Sequence, residues 1–265
     1  MNIHACVFVF FYWSNSVGYC HILIIDRRYH TMEEQDNHIN LTIKGTGQGV
    51  ILLHGWGQNA YMMKFIQDHL SKRFCVMNLD LPGFGDSEEP ERVWNIQDYA
   101  NCIHALADQY HMECPILIAH SFGARIAFRY ALSYPVKKMI LTGAAGIKKH
   151  YTWDYYLRVY TYKILKKMKI KANLGSSDYQ NASGIMRGIL VKAVNEDIST
   201  ELSKIDVETL LVWGEKDNQT PLWMGKQMEH DMQNATLVVL EKEDHFAYFH
   251  QSFRFLRIVD AFLDA

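Results

Sequence analysis

The chain has 265 residues, 49% hydrophobic and 21% charged, with 27 basic and 29 acidic side chains and a formal net charge of −2. That apolar share with so little net charge excludes disorder as the main state, and the balance of charge leaves no broad basic field for nucleic acid. Five prolines and 16 glycines exclude a collagen-like or proline-rich chain, and the length suits one large domain or two small ones.

Residues 1–31 read as an extension to a working protein that starts near Met32. Ala5–Trp13 (ACVFVFFYW) is apolar but too short to cross a bilayer. It also lacks the basic lead and small-x-small site of a signal peptide, so no stable membrane insertion is expected. Cys6, Cys20, Cys75, Cys102 and Cys114 are odd in number and contain no C-x-x-C pair. They read as buried or half-buried thiols in a cytoplasmic protein, with no metal centre.

From Ile39 onward, short apolar runs alternate with amphipathic stretches, the pattern of a parallel sheet covered by helices. Strands are expected at Val50–Leu53, Phe74–Leu79, Pro115–Ala119, Met139–Thr142, Thr209–Trp213 and Thr236–Leu240. Helices are expected at Tyr61–Leu70, Ile96–Tyr110, from Ser121 to Tyr134 before Pro135, and at Tyr248–Leu263. Thr220-Pro221 reads as a helix start, a hydroxyl N-cap followed by proline at the first helical position. Residues 147–205 interrupt the alternation with the stretches Tyr151–Ile170 and Ala182–Val194 and no strand. They read as a helical cap between a core of residues 32–146 and its continuation over 206–265.

Ser121 lies where an apolar strand passes directly into a helix, in the frame Ala119-x-Ser121-x-Gly123. So tight a turn strains the serine backbone, demands small neighbours two positions away and holds the hydroxyl above the sheet. Taken alone, Ser121 could be a plain helix N-cap, and Asp217 and His245 ordinary loop residues. A nucleophilic serine needs a base, and the base needs an orienting group. Asp217 and His245 each follow a strand, where such sheets build their sites. Asp244 is adjacent to His245 and poorly placed to reach its ring, and Gly143-Ala144-Ala145-Gly146 offers no carboxylate.

His54-Gly55-Trp56-Gly57, Asp80-Leu81-Pro82-Gly83-Phe84-Gly85-Asp86-Ser87, Ala119-His120-Ser121-Phe122-Gly123, Asp217 and His245, in that order, resemble the α/β-hydrolase superfamily over Ile39 to Leu263. Ala119 departs from the usual glycine. The resemblance implies an α/β fold with a mostly parallel central sheet. It further implies Ser121 as nucleophile, His245 as base, Asp217 as orienting acid, and the backbone N–H groups of Trp56 and Phe122 as an oxyanion hole. His54 and Asp80 read as structural, His120 as a packing or hydrogen-bonding residue, and His69, His104 and His111 as surface residues of helices.

A serine at position 121 argues against the dehalogenases and epoxide hydrolases of this fold, which carry aspartate there. The expected function is hydrolysis of a small carboxylic ester or related acyl substrate, with no cofactor. The alternatives are a carbon–carbon bond hydrolase or lyase, and a non-catalytic ligand-binding member. Between Ile147 and Lys171 there are eight basic residues and one acid, Asp154. This is a solvated helix face or an attraction for an anionic partner. Tyr151, Trp153, Tyr155, Tyr156, Tyr160 and Tyr162 would wall an apolar pocket, with Trp56, Trp153 and Tyr156 as substrate contacts. His54-Gly55-Trp56-Gly57-Gln58-Asn59-Ala60 also looks like the pimeloyl-ester esterases, which makes an acyl-carrier protein a candidate partner of the basic segment.

Overall fold

A computed structural model describes residues 38–148, 179 and 182–265. The extension at residues 1–31, the stretch Tyr151–Ile170, Trp153 and Tyr156 lie outside the described residues.

Seven strands form one sheet: β1 (Leu41–Lys44), β2 (Gly49–Leu53), β3 (Cys75–Leu79), β4 (Ile116–His120), β5 (Lys138–Thr142), β6 (Thr209–Gly214) and β7 (Ala235–Leu240). Their order is β1-β3-β2-β4-β5-β6-β7, with β1 antiparallel to β3 and every other pair parallel. The described helices are α1 (Lys64–Leu70), α2 (Ile96–Gln109), α3 (Phe122–Ser133), α4 (Gly184–Asn195), α5 (Leu222–Asp231), α6 (Ala247–His250) and α7 (Ser252–Asp264). Among them, none is long and apolar enough to cross a membrane.

The continuous apolar runs of the central strands follow from burial on both faces. Ile51, Leu53, Leu117, Ala119 and Leu141 point into one core with α2, α3 and α5. Val50, Leu52, Ile116, Ile118 and Ile140 point into the other, with α1 and α7. α2 starts on a capping box: the Asn95 side chain accepts from the Asp98 N–H at 2.9 Å, and the Asp98 carboxylate accepts from the Asn95 N–H at 2.7 Å. α3 stops at Tyr134, which is extended because Pro135 follows.

The structure departs from expectation in five places. β1 was not anticipated; it is a four-residue edge strand with alternating burial, too short to stand out. Thr220 is not an N-cap: the helix begins at Leu222, and the Thr220 hydroxyl turns inward to Asp217 and Gly143. The closing helix is broken at Gln251, whose backbone leaves the helical region (φ −105°, ψ 45°) while its side chain donates to Glu243. His111 and Cys114 lie past the end of α2, exposed and with φ of 55° and 46°; that makes Cys114 neither buried nor half-buried. His69 and His104 are on helices but half-buried, His69 against Asp260 and His104 stacked on Tyr134.

The turn from β4 into α3 is tightly packed. Ser121 sits at φ 49°, ψ −108°, and a Cβ at Gly123 would lie 2.3 Å from the Leu53 carbonyl oxygen and 2.8 Å from that of His54. Gly123→Ala is therefore expected to cost about 2–3 kcal/mol in urea unfolding. Gly184→Ala, where an added Cβ meets nothing within 4 Å, should be neutral or slightly stabilising. Equal losses at the two sites would refute the packing argument.

Candidate active site

Three loops at the carboxyl ends of β4, β6 and β7 bring Ser121, Asp217 and His245 together. His245 Nε2 lies 2.9 Å from Ser121 Oγ, and His245 Nδ1 lies 2.7 Å from Asp217 Oδ2. Asp217 and His245 are each only 4% exposed. An ionised carboxylate can only accept, so the ring proton sits on Nδ1 and the Nε2 lone pair faces the serine hydroxyl. Asp244 does not compete, because its carboxylate accepts from the Phe246 N–H at 2.9 Å.

The Asp217 carboxylate is built into its loop. Oδ1 accepts the N–H groups of Gln219 and Thr220, both at 2.8 Å, and Oδ2 accepts the Thr220 hydroxyl at 2.8 Å as well as His245. Burial works to raise its pKa, but the His245 hydrogen bond and charge, with the Thr220 donors, hold it below the ordinary carboxylate value. The Thr220 hydroxyl also lies 3.0 Å from the Gly143 carbonyl. Gly143 has φ +49°, and a Cβ there would lie 3.0 Å from His245 Nδ1 and 3.3 Å from Asp217 Oδ2. A side chain at this position would press on the pair.

Behind the pair, His120 is fully buried. Its Nδ1 donates to the Thr142 carbonyl at 3.0 Å, and its ring centroid is 4.7 Å from that of His245. Burial first, and the neighbouring His245 second, push its pKa well below the ordinary histidine value, so it stays neutral. Among the described residues nothing hydrogen-bonds its Nε2.

His54 and Asp80 fix the loops around the cavity. His54 Nδ1 donates to the Gly55 carbonyl at 2.8 Å, and Nε2 accepts the Leu81 N–H at 2.9 Å, which makes the ring neutral. Burial pushes its pKa down to about 4. Asp80 accepts from the Ala60 N–H at 2.6 Å, the Asp86 N–H at 2.9 Å and the Asn40 side chain at 2.9 Å. These donors outweigh the opposing effect of burial and hold its pKa below the ordinary value.

A cavity of about 470 Å³ opens at Ser121 and is lined also by Trp56, Phe122, Arg125, Leu190 and His245. The Trp56 ring packs edge-on against Phe84 and Phe122, with centroids 4.9 and 5.2 Å away. Among the described residues, Glu243, Asp244 and His250 are near enough to share a cation. They are exposed or half-buried and already bonded to Gln251, Phe246 and one another, so no metal is assigned there.

Residues 49–169 match the family described as alpha/beta hydrolase fold, and residues 188–265 match the one described as TAP-like protein. The chain belongs to the α/β-hydrolase superfamily. This α/β-hydrolase is 27% identical to the AB hydrolase superfamily protein YisY of Bacillus subtilis, over 82% of this chain and 92% of that one. It is also 27% identical to a pimeloyl-[acyl-carrier protein] methyl ester esterase of Neisseria meningitidis, over 81% of this chain and 93% of the relative. Its fold matches a meta-cleavage product hydrolase of Pseudomonas fluorescens with a TM-score of 0.68 at 23% identity, covering 85% and 94% of the two chains.

Sequence reasoning missed Thr220, Gly143 and Arg125 as parts of this site. Arg125 carried a usable signal, since it stands four residues after Ser121 on the same helix face. Gly143 carried none, because its partner Thr220 lies 77 residues away in the chain, whereas Thr220 stands three residues after Asp217 and was read as a helix cap.

Two outcomes are expected. Thr220→Val should lose about 1–2 kcal/mol of stability and shift acid unfolding to higher pH, since Asp217 loses a donor to its charged form. Unchanged acid unfolding would count against this arrangement. His54 and His120 have folded pKa values below the ordinary 6.5. Their neutral forms thus stabilise the fold above that value, and the stability is lost as pH falls toward about 4 for His54. Replacing His54 by Gln should flatten the slope of unfolding free energy against pH in that window by about 1.4 kcal/mol per pH unit. Urea titrations at stepped pH measure it, and an unaltered slope would mean that His54 is not buried neutral.

Proposed function

We propose that the protein is a serine hydrolase that cleaves a small carboxylic ester or related acyl substrate through an acyl-enzyme on Ser121. The observation that carries this reading is the unbroken chain from Ser121 Oγ through the His245 ring to Asp217 Oδ2, at 2.9 and 2.7 Å. The name of the pimeloyl-ester relative supports an ester as substrate.

In this mechanism Ser121 Oγ attacks the substrate carbonyl carbon while His245 Nε2 takes the hydroxyl proton. Asp217 stabilises the imidazolium and holds the ring with Nδ1 toward itself. The carbonyl oxygen becomes an oxyanion, which we assign to the backbone N–H groups of Trp56 and Phe122. Both residues line the Ser121 cavity, and Phe122 opens α3, whose N-terminal dipole favours negative charge. As the tetrahedral centre collapses, the bond to the leaving alcohol breaks and His245 returns its proton to that oxygen. Water then repeats the sequence on the acyl-enzyme, with His245 as base, and releases the acid and free Ser121. No step calls for a cofactor.

The free thiols Cys75, Cys102 and Cys114 suit a reducing cytoplasm, where we place the reaction. A carrier-bound acyl group reaching the basic segment 147–171 extends the same reading and is supported by the pimeloyl-ester relative.

A fluorophosphonate probe tests the nucleophile. Labelling of the native protein is expected, and Ser121→Ala should abolish it. His245→Ala should lower kcat for a p-nitrophenyl ester by roughly 10⁴–10⁶-fold. Absence of labelling would favour a ligand-binding protein. Labelling without ester turnover would favour carbon–carbon bond hydrolysis.

A further inference from the structure

The Trp56 N–H, one of the two donors assigned to the oxyanion, belongs to a β-turn between β2 and α1. The Gln58 N–H donates to the Gly55 carbonyl at 3.2 Å, and Gly57, third in the turn, has φ +68°. That angle, after a Trp56 that stays out of the left-handed region, is the type II geometry. The turn bond uses the N–H of Gln58 and not that of Trp56. Among the described residues nothing accepts from the Trp56 N–H.

A trans peptide is planar, so the Gly55 carbonyl and the Trp56 N–H point in opposite directions. Whatever holds that carbonyl therefore aims that N–H. Two donors hold it, the Gln58 N–H and, at 2.8 Å, His54 Nδ1. The weak link is Gly55, because glycine turns more freely about φ and ψ than any other residue. A Cβ there would lie 2.9 Å from Gln58 Nε2 and 2.9 Å from His120 Cδ2. The Gln58 side chain removes the freedom: its Oε1 accepts the Gly55 N–H at 3.2 Å. Main chain and side chain of Gln58 thus clasp Gly55, and the peptide planes before and after it are both fixed. Gln58 is half-buried and lines the Ser121 cavity.

We propose that Gln58 is a positioning residue, whose side-chain amide holds the Gly55–Trp56 peptide so that the Trp56 N–H meets the oxyanion. This rests on Ser121 being the nucleophile and adds a residue to that reading. Gln58 acts through Trp56 and forms no bond to the substrate. The neutral substrate carbonyl gains little from such aim, and the charged oxygen of the transition state gains much.

Gln58→Met keeps the length of the side chain and removes the acceptor. For p-nitrophenyl butyrate it should lower kcat roughly tenfold with KM little changed, fluorophosphonate titration counting the active sites. Two ketones read the same effect without turnover. With hexyl trifluoromethyl ketone, Ser121 Oγ bonds to the carbonyl carbon, its proton passes to His245 Nε2, and the carbonyl oxygen becomes the oxyanion. Hexyl methyl ketone binds unreacted. Gln58→Met should weaken the first roughly tenfold and leave the second unchanged. Gly55→Ala, whose Cβ displaces the Gln58 amide, tests the same tie from its other end and should show the same pattern. Combined with Gln58→Met, it should cost less than it does alone.

The inference is overturned if Gln58→Met leaves trifluoromethyl ketone binding unaltered, or weakens both ketones alike, as a direct contact with the substrate would. It is equally overturned if the variant has fewer titratable sites but normal turnover at each, as a purely structural tie would give, or if the two substitutions are fully additive. These outcomes leave the Ser121 reading in place. If the native protein hydrolyses no ester, resists fluorophosphonate and does not prefer the trifluoromethyl ketone, the Ser121 reading falls and this one with it.

Discussion

The constraint on which the rest of the site depends is the backbone of Ser121, held at φ 49° between the last residue of β4 and the first of α3. A non-glycine residue in this region costs about 1–3 kcal/mol and persists only when its surroundings over-determine it. Here they do. The Ser121 N–H donates to the Thr142 carbonyl at 3.1 Å, and its own carbonyl accepts from Ala124 at 3.1 Å and Ala145 at 3.2 Å. Gly123 lies flat against the end of β2. The loops after β2 and β5 thus grip the turn after β4, and the largely buried strands β2, β4 and β5 supply the apolar burial that offsets the strain.

The same crowding sets the electrostatics. Gly143 leaves room for the His245–Asp217 pair, and its carbonyl meets the Thr220 hydroxyl that also serves Asp217. The hydroxyl that resembled a helix cap is therefore spent on the carboxylate, and α5 starts without a side-chain cap. His120 stays neutral behind His245 and would add no second positive charge in the proposed reaction. There His245 is the one ring that gains charge. Its neighbours are held in forms that do not oppose it.

The sheet was legible because β2, β4 and β6 are apolar without interruption, the pattern that burial on both faces imposes. Ser121 and Asp217 were legible as candidates because each follows such a run, and His245 because it follows the last strand, β7. What remained hidden was set by contacts rather than by pattern. β1 is held by pairing with β3, and its four alternating residues say little alone. Thr220 beside Pro221 carries a true local preference for a helix start, which two buried acceptors override. The break at Gln251 interrupts an amphipathic stripe that continues on both sides of it, so periodicity could not locate it.

α3 joins these strands of argument, because three of its turns do different work on related faces. Its N-terminus presents Ser121 and the Phe122 N–H, its next turn presents Arg125, and the turn after that carries Arg129. Arg129 binds the Glu196 carboxylate and, at 2.9 Å, that of Glu201. Glu196 caps the C-terminus of α4, and Leu190 and Val194 of α4 line the cavity. The position of that apolar wall is therefore referred to the same rigid helix that positions the proposed nucleophile. Helices transmit position well because their backbone hydrogen bonds are satisfied internally. A shift of α4 along α3 must break a half-buried ion pair at Arg129 and the Arg125–Glu196 hydrogen bond together. Cavity shape and the reacting serine are in this way coupled through one element rather than through the sheet.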